Sequence, residues 1–138
     1  MSGHKPEDYG HLAALLVDDN VVNQKVTQAM LNHFNIEPRV AENGKIALDM
    51  AKNEQFDLIF MDCQMPVMGG YEATQAIRDK KNDNTFMTDN EVVIIAMTAN
   101  ASPDDIKACY ESGMSDFIAK PVELDTIRKV LEKWYGCA

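Results

Sequence analysis

The sequence predicts a doubly wound α/β domain, a (βα)5 unit on five parallel strands, from three observations. Residues 12–17, 58–61 and 92–97 are continuously apolar, as strands covered on both faces are, and that pattern belongs to a parallel sheet. Two shorter runs, 38–41 and 117–119, supply the remaining strands, and every interval between strands is long enough for a helix. Charged residues stand at or just after the C-terminal ends of these runs: Asp18 and Asp19, then Asp62, then Lys120. In a parallel sheet those ends share one edge, and ligands bind there.

In chain order, residues 1–11 carry Gly3, Pro6 and Gly10 without periodicity and read as a flexible lead-in or linker, with the domain over 12–138. After the first strand, Asn20 suits an N-cap for a helix whose inward stripe is Val26, Met30 and Phe34. Asn43 and Gly44 open a second helix holding Ile46, Leu48 and Met50. A third is expected from near Pro66 to Arg78 or Asp79, followed by a polar stretch, 79–91, that reads as a mobile loop. Ser102, Pro103 and Asp105 form a clear N-terminal signature for a fourth helix ending at Gly113. Leu124, Ile127, Leu131 and Trp134 recur at helical spacing and predict one buried face on the fifth.

Composition excludes several functions. A chain of 138 residues, 46% hydrophobic, holds one domain with a core and is too short for two ordinary ones. Thirteen Lys and Arg against 22 Asp and Glu give a formal charge of −9, which argues against nucleic acid or an anionic membrane as partners and favours cations or basic protein surfaces. No apolar run approaches the ~18–20 residues of a membrane span, and the N-terminal residues lack a signal-peptide core. Cys63, Cys109 and Cys137 are odd in number and widely spaced, which suits reduced thiols and a cytoplasmic location better than disulfides or zinc. Neither they nor His4, His11 and His33 show ligand spacing, and Cys63 is expected on the side of its strand opposite Asp62.

The strand-end acids carry the chemistry. Three carboxylates gathered in one place repel one another unless a cation neutralises them, so Asp18, Asp19 and Asp62 imply a hard divalent metal, Mg²⁺ or Mn²⁺. Asp18 and Asp19 alone would also suit a helix N-terminus, where acids are common. Asp62 and Lys120 at their own strand ends favour the metal pocket.

The strings LLVDDN (15–20), IFMDCQMPVMGG (59–70), MTAN (97–100) and AKPV (119–122) resemble, in this order and spacing, the receiver domain of two-component response regulators. The wording is closest to receivers of hybrid histidine kinases. The resemblance implies a flavodoxin-like three-layer sandwich in which Asp62 accepts a phosphoryl group from a histidine kinase or histidine phosphotransfer protein. It implies that Asp19 and Asp62 bind the metal directly, Asp18 through water, and Gln64 by its backbone carbonyl. By the same resemblance the Thr98 hydroxyl donates to the phosphoryl oxygens, Ala99 leaves room above them, and Lys120, before a cis Pro121, faces the active aspartate. Phe117 would turn inward on switching of the surface formed by the fourth helix, fifth strand and fifth helix, and Gln64 and Asn100 would tune hydrolysis. Gly69 departs from the family, which commonly has Asp there, and two adjacent glycines loosen that loop.

Two other functions compete with a phosphorylated switch. An Mg²⁺-dependent aspartyl-phosphate phosphatase or phosphotransferase of the haloacid-dehalogenase kind would need an acid two residues after the nucleophile, and Gln64 stands there. A docking pseudo-receiver would have no need of Asp18, Asp19, Asp62, Thr98 and Lys120 together. Val21 and Val22 lie beside the inward stripe of the first helix, so at least one is expected to stay exposed near the acids, where a phosphotransfer protein would dock.

Overall fold

Five strands, β1 (Ala14–Val17), β2 (Arg39–Ala41), β3 (Leu58–Asp62), β4 (Val93–Thr98) and β5 (Asp116–Ala119), pair in parallel in the order β2-β1-β3-β4-β5. They alternate with α1 (Val21–His33), α2 (Gly44–Asn53), α3 (Gly70–Arg78), α4 (Pro103–Ser112) and α5 (Leu124–Tyr135), the doubly wound (βα)5 arrangement expected. The computed structural model describes residues 8–63, 68–79, 86–99 and 101–136. Gln64, Asn100 and the expected turn at Met65 and Pro66 lie outside the described residues, as does much of the polar stretch, 80–85.

The apolar runs become the sheet interior because both faces are covered. Leu15, Val17, Ile59, Met61, Ile94 and Ala96 face one core with Ala47 and Ala51 of α2, Ala73 and Ile77 of α3 and Cys109 of α4. Leu16, Leu58, Phe60, Ile95, Met97 and Ile118 face the other with Leu31 of α1, its C-cap residue Phe34, and Ile127 and Leu131 of α5. Leu15, Leu16, Phe60 and Ile95 are fully buried, each worth about 1.5–3 kcal/mol of burial. Cys63 lies in the first core with Met61, while the alternate residue Phe60 lies in the second, so Cys63 and Asp62 take opposite sides as expected.

Local signals set the helix starts. Asn20, Asn43 and Ser102 cap α1, α2 and α4 by accepting from the backbone N–H of Asn23, Ile46 and Asp105, and Gly113 ends α4 at φ 106°, where a side chain is disfavoured. Three expectations need correction. The buried stripe of α1 is Thr27 and Leu31 leading to Phe34, and Val26 is 47% exposed. One-residue differences in phase are invisible when apolar residues occupy both faces. Helix α3 starts at Gly70 rather than near Pro66. Val130 joins Ile127 and Leu131 on the inner face of α5, while Trp134 sits at its margin, half-exposed, donating its indole N–H to Asp116 at 3.1 Å. The indole needs a polar partner, which the apolar core does not offer.

Packing also reaches upstream of Leu12. Tyr9 is buried edge-on against Phe34, with its N–H bonded to the Phe34 carbonyl. Arg78 ties the far end of the sheet by donating to the carbonyls of Gly113, Asn90 and Val92 and to the Ser115 hydroxyl. Burial lowers the pKa of this guanidinium, and nearby Glu91 and Asp89 partly restore it. No helix among the described residues is long and apolar enough to cross a membrane.

Candidate functional site

Sheet register assembles the site. Val17 is level with Met61 and Asp62 with Met97, so Asp18 follows β1 beside Asp62 at the end of β3. Thr98 is level with Ala119, and the Lys120 N–H donates to the Thr98 carbonyl at 2.7 Å, which brings Lys120 to the same edge. This edge lies at the strand-order reversal between β1 and β3, where a parallel sheet leaves a crevice.

Four of the predicted residues meet there. One oxygen each from Asp18, Asp19 and Asp62 lies within 4.8 Å of the others. Lys120 Nζ is 3.2 Å from Asp62 Oδ1 and 3.7 Å from Asp18 Oδ2. Asp18 and Asp62 are buried and Asp19 is exposed. Such a set holds a net negative charge in a partly dehydrated recess, and its donors are all oxygen, which suits a hard cation. Asp18 is oriented from both ends: its Oδ1 accepts from the Asn20 N–H at 2.9 Å, and its carbonyl accepts from the Gln24 side chain at 2.6 Å.

The other predicted residues that are described lie on β4, β5 and α1 and on the turns that follow the strands. Thr98 is buried at the end of β4, and Ala99 after it is exposed. Phe117 lies three residues before Lys120 in β5, half-buried, with its ring edge-on to Tyr110 of α4 at 6.5 Å. The Lys120–Pro121 bond is cis. Val21 and Val22 are both exposed, at 58% and 68%. Helical spacing puts Val22 on the same face as Val26, and Val26 lines a recess of about 200 Å³ with Asn23, Thr27, Pro121 and Val122 that opens on Asp18 and Lys120.

Sequence reasoning missed Gly70. A Cβ there would stand 2.2 Å from the Asp62 carbonyl oxygen, and the Gly70 N–H reaches the Cys63 carbonyl at 3.3 Å. The start of α3 therefore presses on the backbone of the strand-end aspartate, which no side chain would allow. The glycine doublet at 69–70 is the signal in the sequence, and at Gly70 it marks close approach rather than looseness. Gly69 is the N-cap of α3 and provides no side-chain capping bond.

A family model described as the response regulator receiver domain matches residues 14–132. Hybrid signal transduction histidine kinase A of Dictyostelium discoideum is 40% identical over 124 residues, covering 89% of this chain and 6% of that protein. The chain thus spans a small part of such relatives. The receiver domain of sensor histidine kinase PA1611 from Pseudomonas aeruginosa, a crystal structure with magnesium coordinated in its active-site cleft, is 38% identical with a TM-score of 0.78, covering 89% of this chain and 96% of that one. A Saccharomyces cerevisiae response-regulator receiver, co-crystallised with the histidine phosphotransfer protein Ypd1, is 36% identical with a TM-score of 0.80, covering 89% of this chain and 88% of that one.

Proposed function

The chain belongs to the response regulator receiver family, a domain of two-component and phosphorelay signalling, and on that premise we propose that Asp62 is its phosphoacceptor. The observation that carries this reading is a strand-end carboxylate flanked by Asp18 and Asp19 and faced by Lys120 at 3.2 Å. Asp18, Asp19 and Asp62 are the residues that would hold Mg²⁺, with the Gln64 carbonyl as a further ligand. When bound, the ion neutralises charge on the phosphoryl oxygens.

The donor is a phosphohistidine on a histidine kinase or phosphotransfer protein. A carboxylate oxygen of Asp62 attacks phosphorus in line, the P–N bond breaks, and the imidazole leaves with its electron pair. Lys120 then balances the charge gained at Asp62, and the Thr98 hydroxyl donates to a phosphoryl oxygen, drawing Phe117 inward and altering the α4-β5-α5 surface. The exposed Val21 and Val22 beside the recess form the apolar patch on which a phosphotransfer helix docks. The domain acts as a cytoplasmic switch, with slow loss of the phosphoryl group tuned by Gln64 and Asn100, and is not a turnover enzyme.

Incubation with acetyl phosphate and Mg²⁺, followed by intact mass and peptide mapping, tests this. A lasting single phosphoryl adduct at Asp62 is expected. Steady release of phosphate would point to a phosphatase, and no adduct to a docking module.

A further inference from the structure

Next to the phosphoacceptor stands a pair of thiols with no part in phosphoryl transfer. Cys63 directly follows Asp62, and its Sγ lies 3.7 Å from Sγ of Cys109, 46 residues away on α4. Both are free, with Cys63 5% exposed and Cys109 fully enclosed. The Tyr71 hydroxyl, 3.9 Å from Cys109 Sγ, completes a small polar cluster between β3, α3 and α4. One turn further along α3, the buried Thr74 hydroxyl has no hydrogen-bond partner. Thiols are weak donors, so little hydrogen bonding is lost when their protons leave.

The two sulfurs belong to elements of unequal freedom. Cys63 is pinned by its backbone, its N–H donating to the Met97 carbonyl at 3.0 Å and its carbonyl accepting from Gly70 at 3.3 Å. Cys109 rides on α4, of whose ten residues only Cys109 and Ser112 are buried. A helix held by so little buried surface belongs to the readily displaced part of a fold, and Cys109 is its fully buried point of contact with the residue that follows β3.

We propose that Cys63 and Cys109 form a redox-sensitive pair whose disulfide ties α4 to the phosphoacceptor strand, leaving Asp62 able to accept phosphate but suppressing the response of the α4-β5-α5 face. The second half of this statement rests on the function proposed above. The oxidant is a peroxide. It converts the Cys63 thiol to a sulfenic acid with release of water, and the Cys109 thiol then displaces hydroxide from that sulfur, giving the disulfide and a second water. Two electrons pass from the thiols to the peroxide. A bond of about 2.05 Å needs the sulfurs to approach by about 1.7 Å, a shift that side-chain rotation with a small movement of α4 supplies. Because both sulfurs are shielded, the reaction proceeds through brief openings of α4 and is slow.

The test treats the full chain, in a Cys137→Ser background, with hydrogen peroxide under native conditions, then alkylates and digests it without reductant. The expected product is an intramolecular peptide pair joining Cys63 to Cys109, lighter by about 2 Da than the two thiols, reversed by dithiothreitol and absent from Cys109→Ser. Separate alkylation of both thiols, or their independent oxidation to sulfinic acids, would overturn the pairing without requiring any variant to fold. The bridged domain should still form the acetyl phosphate adduct, while beryllofluoride-induced amide shifts at Tyr110 and Phe117 fall to a small fraction of those in the reduced domain. Equal shifts in both forms would overturn the lock. Absence of such shifts in the reduced domain would instead count against the proposed switching of Phe117, and the cross-link result would stand by itself.

Discussion

Replacing Asp62 with asparagine should stabilise the metal-free domain while abolishing phosphorylation. The change forfeits the attraction to Lys120 at 3.2 Å, about 5 kcal/mol at an effective dielectric constant of about 20. It also removes repulsion from Asp18, whose oxygen lies within 4.8 Å, at least about 3.5 kcal/mol on the same scale. Asp19 is exposed, so screening reduces its share to below about 1 kcal/mol. Within this cluster of four charges the opposing contributions nearly cancel, which leaves dehydration as the larger effect. Asp62 is 5% exposed, and keeping a carboxylate out of water costs several kcal/mol that a neutral amide largely avoids. Lys120 retains Asp18 at 3.7 Å. The expected net gain is about 1–3 kcal/mol, or roughly 3–10 °C in Tm for a domain of this size. Thermal melts of wild type and Asp62→Asn in EDTA and in Mg²⁺, with intact mass after acetyl phosphate, read both effects. Mg²⁺ should narrow the gap, because the wild type gains binding free energy that the variant largely lacks. A lower Tm for the variant in EDTA would refute the electrostatic reasoning, and a phosphoryl adduct on the variant would refute the assignment of the nucleophile.

Four further outcomes are expected. The Mg²⁺-induced rise in Tm should shrink greatly in Asp19→Asn and less in Asp18→Asn; equal shifts in wild type and Asp19→Asn would sink the metal site. Thr98→Ala and Lys120→Ala should still form some adduct at Asp62 but lose the beryllofluoride-induced amide shifts at Phe117, whose persistence would exclude that coupling. Val22→Lys should slow transfer from a phosphohistidine protein several-fold while sparing acetyl phosphate, which needs no docking surface; equal loss with both donors would remove the docking face. Burial, and then nearby Asp57, push the Tyr135 hydroxyl up to about 12 from its ordinary 10.0. The folded state therefore favours the protonated phenol, and its contribution is intact below pH ~10 and lost as pH rises towards ~12. Tyr135→Phe should flatten alkaline unfolding in that window, and an unchanged pH profile would refute the role of the hydroxyl bond to the Asp57 carbonyl at 2.7 Å.

Local chemistry was enough to predict much of this molecule. Asn20, Asn43 and Ser102 cap the helices they were expected to cap, because capping joins a side chain to an N–H three residues on and needs no distant partner. The continuous apolar runs predict a sheet covered on both faces, and a parallel sheet carries its strand ends to one edge, so the sequence alone brings Asp18, Asp62 and Lys120 together. Tertiary structure decided what depends on a neighbour far along the chain. The inward phase of α1 turns on which side meets β1 and α5, and Thr27 occupies the position that hydropathy gave to Val26. Trp134 leaves the core face for a carboxylate 18 residues away, and that carboxylate, Asp116, is lowered despite its burial because the Phe117 N–H, Lys133 and the indole all donate to it. Gly70 is required by the Asp62 carbonyl, a constraint set by how α3 docks. Cys63 and Cys109 adjoin only because of how α4 packs against α3 and β5. Periodicity and punctuation record what a residue asks of its nearest neighbours, whereas the side of a helix that is buried and the partner a thiol meets depend on how whole elements close-pack, which no local run of residues encodes.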